Sequence, residues 1–136
     1  MAKAFEVHIP IYKKYLYVLV GTPKESVDAL IWRYDFGESK PETLIEHLEK
    51  YSKTSAGIFS YDESSDTYTI WLAKEPDSIA GEGVLLHEIN HAVFYLYDNL
   101  GMEHTKESDE AYCYLSEYLY IEIMNKLEYK QDQPTQ

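Results

Sequence analysis

Between Gly83 and Leu100 the apolar residues Leu85, Ile89, Ala92, Val93, Leu96 and Leu100 recur at helical spacing, forming one stripe that a core must cover. Gly101 follows as a C-terminal stop for that helix. This segment constrains the chain most, because the same helix carries His87-Glu88-Ile89-Asn90-His91, an HExxH sequence. At about 100° per residue, His87 and His91 share a face opposite the stripe of Leu85, Ile89, Val93, Leu96 and Leu100. Histidines serving as core packing would sit on the stripe. These two are predicted to face a cleft while the apolar side packs on a sheet.

Imidazoles at i and i+4 have the spacing to grip one metal ion, and zinc is the expected one. Glu88, between them, is the expected general base for a water at that ion. Catalytic zinc takes three protein ligands and leaves one position open, so a further donor must come from elsewhere. Glu110 is the expected third ligand: it opens the next predicted helix, and the short loop after Gly101 lets that helix turn back across the histidines. A carboxylate with two neutral imidazoles leaves a site charge of about +1, electrophilic enough to acidify water. His104, Glu107, Asp109 and Glu117 compete as donors on spacing alone. Glu117, seven residues beyond Glu110, is read as an exposed acid or as a hydrogen-bond partner of a ligand histidine.

The remaining pattern reads as an α/β (α+β) domain with a small twisted sheet. Phe5 to Ile11 and Tyr15 to Val20 are aromatic and β-branched runs separated by Tyr12, Lys13 and Lys14, a strand pair. Thr22-Pro23-Lys24-Glu25 opens a helix through about Tyr34, with Gly37 ending or following it, and Ser39-Lys40-Pro41-Glu42 opens a second, shorter one. Ile58 to Tyr61 and Thr67 to Leu72 flank a polar turn and form a hairpin. A last helix runs from Ser108 to near Leu127, and Gln131 to Gln136 reads as a disordered tail. With 136 residues, one domain over about 1–130 is expected.

Twelve basic against 24 acidic residues leave a formal charge of -12, which repels phosphate backbones and anionic lipid surfaces. Direct nucleic-acid or membrane binding is therefore not expected, and no apolar run reaches transmembrane length. The 14 tyrosines are read as semi-polar filling for a thin core. Cys113, the single cysteine, rules out an internal disulfide and is expected as a small buried hydrophobe. With no signal pattern over Met1 to Pro10, a cytoplasmic location is expected.

The stretch His87-Glu88-Ile89-Asn90-His91-Ala92-Val93, followed by Asp109-Glu110-Ala111, resembles the gluzincin metallopeptidases, in which a glutamate on a second helix follows HExxH. The thermolysin family is similar in this respect, as is the ImmA/IrrE group, whose Glu-Ala helix resembles Glu110-Ala111-Tyr112-Cys113-Tyr114-Leu115. The short zincins of phages and mobile elements are closest in size. The motif resemblance spans about Leu85 to Leu119. It implies a minimal zincin fold, peptide or protein substrates, and a strand before the active helix, here Thr67 to Ala73, that templates an extended peptide by strand addition. Tyr114 stands where thermolysin-like enzymes carry an aspartate, and His104, Tyr112 and Tyr114 are the candidates to stabilise a reacting oxyanion. So short a chain lacks a second lobe, so either substrate is held weakly or a protein partner completes the cleft. Two rivals predict differently: an interaction protein of a mobile element with a structural or vestigial zinc site and an acidic partner surface, or a metal-free acidic mimic of nucleic acid.

Overall fold

The computed structural model describes residues 2–34 and 41–131. The chain is a mixed α+β domain, a four-stranded sheet with helices on both faces. Strand β1 (Lys3–Ile9) pairs antiparallel with β2 (Lys14–Val20) across a short turn in which Lys13 takes a left-handed conformation with φ of 54°. Two helices, α1 (Pro23–Arg33) and α2 (Pro41–Tyr51), then cross to the hairpin of β3 (Gly57–Asp62) and β4 (Thr67–Leu72). The sheet order is β1-β2-β4-β3, with β2 and β4 parallel and β3 antiparallel on the outer edge. A parallel contact needs a crossover, and α1 and α2 supply it.

Alternation along the strands divides the core. Val7, Leu16, Val18, Ile70 and Leu72 face α3 (Ile79–Asn99) and α4 (Asp109–Gln131), where they meet Leu85, Ile89, Leu96, Leu119 and Ile123. Leu19, Ile58 and Trp71 face the other way, onto Val27, Leu30 and Leu48 of α1 and α2. Each such fully buried aliphatic side chain contributes about 1.5–3 kcal/mol. The Trp71 indole N–H donates to the Gly21 carbonyl at 2.9 Å, so burying it leaves no polar group unmet.

Helix α1 starts as its sequence requires, with the Thr22 hydroxyl accepting from the Glu25 N–H and Pro23 in the first turn. Helix α3 begins earlier than the stripe indicates, because Ser78 caps it by accepting from the Gly81 N–H at 3.0 Å. It ends at the expected glycine: Gly101 has φ of 79°, and the Met102 N–H donates back to the Tyr97 carbonyl at 2.9 Å. Leu100, expected on the buried stripe, is 42% exposed because it caps the helix rather than packing beneath it. Gln131 ends α4 rather than opening a tail. Gly37, Ser39 and Lys40, and the tail residues 132–136, lie outside the described residues. Among the described residues, no helix is long and apolar enough to cross a membrane.

Candidate metal centre

The central helix presents its histidines as the phase of the stripe dictates. Leu85, Ile89, Ala92, Val93 and Leu96 are buried against the sheet, and His87 and His91 are exposed on the far side. Their Nε2 atoms lie 3.1 Å apart, with ring centroids at 4.7 Å. Two nitrogens bound to one tetrahedral zinc at about 2.0–2.1 Å stand roughly 3.3 Å apart, so this pair fits a shared ion within a few tenths of an ångström. The same spacing suits an imidazole-imidazole hydrogen bond, in which one ring donates to the other.

Glu88 is different in kind. It is 6% exposed, at the junction of α3 with β3, where the Phe59 backbone N–H favours its charged form. Burial pushes its pKa above the usual carboxylate range, against the downward pull of His87, His91 and that N–H. The approach depends on Gly57: a Cβ there would stand 2.7 Å from Val84 Cγ1 and 3.0 Å from Glu88 Cγ. Val84 is β-branched on a helix and has almost no alternative rotamer to yield into. Gly57→Ala is therefore expected to destabilise the fold by about 1–3 kcal/mol through overpacking, read as a lower denaturant midpoint. A change within about 0.5 kcal/mol would show that β3 and α3 do not meet this closely. A cavity of about 450 Å³ opens beside these residues, lined by Gly57, Gly83, Val84, His87 and Glu88.

Helix α4 runs antiparallel to α3: the Tyr97 hydroxyl donates to the Ala111 carbonyl at one end, and the Tyr120 hydroxyl donates to Glu82 at the other. Glu110 thus sits in the first turn of α4, level with the C-terminal end of α3. Its carboxylate clusters with Asp109 and Cys113, their ligand atoms within 4.8 Å of one another, and that cluster includes neither His87 nor His91. The structure brings together His87, His91 and Glu88 but does not join Glu110 to them. Among the competing donors, His104 is occupied with Asp109 at 3.0 Å, and its ring packs on Tyr112. Glu107 and Glu117 are exposed. Tyr112 is buried and donates to the Met102 carbonyl at 2.9 Å, while Tyr114 is 65% exposed. Cys113 is exposed rather than buried: the buried face of α4 runs through Tyr112, Leu115 and Leu119, about 100° away.

The expected peptide template also moves. Thr67 to Leu72 is β4, already flanked by β2 and β3; the sheet's edges are β1 and β3, and β3 is the one that meets α3 at Val84 and Glu88. Three residues at the site escaped the sequence reading: Gly57, Phe59 and Tyr95. The Phe59 ring lies 6.5 Å from that of His91 and 5.6 Å from that of Tyr95. Tyr95 was within reach, standing one turn after His91 on the same face. A glycine opening a strand signals close backbone approach, but the partner is a long-range fact.

Comparison with known proteins gave no match to any family model, curated protein or solved structure.

Proposed function

We propose that the protein is a zinc-dependent, metallopeptidase-like hydrolase of peptide or other amide bonds, related to the gluzincin-type zincins and working in the cytoplasm. The observation that carries this reading is the exposed His87 and His91 pair, with Nε2 atoms 3.1 Å apart, beside the buried carboxylate of Glu88. His87, His91 and Glu110 would hold the ion. Zinc bound there supplies an acidified water and a polarised carbonyl. Glu88 would take the proton from the attacking water and pass it to the leaving amine. The open edge of β3 offers backbone groups to an extended substrate. A protein partner would complete the cleft over that substrate.

One observation favours the interaction-protein reading instead: Glu110 lies with Asp109 and Cys113, so an incomplete ligand set is consistent with a structural or vestigial zinc site. Metal content of untagged protein by elemental analysis, with Glu110→Ala alongside, tests both. About one zinc per chain is expected, and Glu110→Ala should weaken affinity by more than the roughly 10–100-fold typical of an outer-sphere partner. No zinc after reconstitution would sink the hydrolase. Zinc whose removal unfolds the chain, with no new termini produced in a peptide mixture, would establish the interaction protein.

A further inference from the structure

Among the described residues, every glycine but one answers a local demand. Gly21 and Gly101 take positive φ, and a Cβ on Gly57 or Gly81 would press to 2.7 Å from Val84 or 3.2 Å from Pro76. Gly83 has neither reason: its φ is not positive, and a Cβ there would meet nothing within 4 Å among the described residues. It stands inside α3, one turn before His87, where glycine loses more backbone freedom than any other residue and alanine or leucine would favour the helix. Neither backbone nor packing calls for glycine at this position. What its missing side chain does is leave space, since Gly83 lines the cavity of about 450 Å³ beside His87 and Glu88.

Glu88 independently marks that space as a ligand's. Its side chain is 6% exposed, and among the described residues no other side chain hydrogen-bonds to it. It lines the same cavity, with Oε2 at 3.4 Å from the Cβ position of Gly57, so a carboxylate largely withdrawn from water is left facing unfilled space. The walls define what fits. Apart from His87 and Glu88, no described residue lining the cavity is larger than valine, and Ala56, Ala80 and Val84 present methyl groups. A bulky apolar side chain gains contact there that a small one cannot. An acidic side chain would stand against Glu88, and a basic one would tie up that carboxylate in an ion pair.

We propose that Gly83 is a specificity-determining residue, whose missing side chain keeps the cavity beside His87 and Glu88 open to a bulky, uncharged side chain of the polypeptide substrate. This rests on the hydrolase reading above for the source of the side chain. The test compares the full-length natural chain with Gly83→Ala and Gly83→Leu. Both variants should hold zinc as the natural chain does and unfold at an equal or higher denaturant midpoint, because the added Cβ meets no neighbour. In chelator-treated natural protein, followed by nuclear magnetic resonance, N-acetyl-phenylalanine amide should shift the signals of Gly57 and Val84. It should bind at least about tenfold more tightly than the corresponding glycine or lysine amide. Gly83→Leu should abolish that preference. Because amide binding is read without metal, a chain that holds no zinc and a cavity that takes no side chain are separate results. A midpoint for Gly83→Ala below that of the natural chain, equal binding of the three amides, or a preference that survives Gly83→Leu would each overturn the proposal.

Discussion

His91→Ala is expected to lose stoichiometric zinc. A zinc held by four side chains contributes about 10–16 kcal/mol, roughly 3 kcal/mol per ligand, so removing one weakens binding by at least about 10²-fold. The loss should exceed that of a neighbouring surface change, because the Nε2 atoms of His87 and His91 are already 3.1 Å apart and little ordering remains to be done on binding. His91 is exposed, so its truncation leaves the core of Leu85, Ile89 and Leu96 intact, and the variant should remain folded. A second readout follows from mass action. Zinc at 100 times its dissociation constant stabilises the native state by about 2.7 kcal/mol, so added zinc should raise the unfolding midpoint of the natural chain and not that of the variant. Asn90→Ala, one residue away on an exposed part of α3, is the control and should keep both responses. Equal zinc content in His91→Ala and the natural chain would mean that the histidine pair is a hydrogen-bonded surface feature.

Local periodicity makes much of this architecture legible in the sequence. Leu85, Ile89 and Leu96 repeat with the helical period, Tyr68, Ile70 and Leu72 with the strand period, and the structure buries both sets in one cluster. Cap signals were equally direct: Thr22, Pro23 and Gly101 each act where their chemistry places them. Helix α4 was harder, since Tyr112, Tyr114, Leu115, Tyr118, Leu119, Tyr120 and Ile121 surround it with large apolar or semi-polar residues. No single stripe stands out there, which is why Cys113 was misplaced by one position.

Strand order was the other limit. Sequence locates Thr67 to Leu72 as a strand, but its parallel contact with β2 joins residues some fifty positions apart and leaves no local mark. Consequently the strand that the zincin resemblance implies as a peptide template is interior, β3 is the edge strand beside α3, and the contacts that depend on β3 leave no mark in the sequence. The close approach of Glu88 to β3 and the empty Cβ position of Gly57 both arise from that one placement. The histidines themselves were legible because i and i+4 on a helix is a local relation. Glu110 depended on how two helices pack, and its neighbours turned out to be Asp109 and Cys113.

Glu88→Gln should separate chemistry from fold more sharply than any other substitution. The amide is isosteric, and its oxygen still offers the Phe59 N–H an acceptor, so the packing of α3 against β3 is kept. What disappears is the ability to take a proton. General-base catalysis contributes about 10²–10⁴-fold, and turnover of a peptide mixture, followed by mass spectrometry of new termini, should fall by that factor with zinc content unchanged. Stability should move the other way or not at all. Because burial raises the folded-state pKa of Glu88, its ionised form is less favourable in the folded chain than in the unfolded one. The stabilising contribution of such a group is present below its unfolded pKa and lost as pH rises through the folded value, so at neutral pH the carboxylate is a burden that glutamine removes. In chelator-treated protein the unfolding midpoint of Glu88→Gln should therefore equal or exceed that of the natural chain. A variant that still turned over peptides would remove Glu88 as the base. A midpoint well below that of the natural chain would mean that the ionised carboxylate holds β3 against α3, a structural role in place of a chemical one.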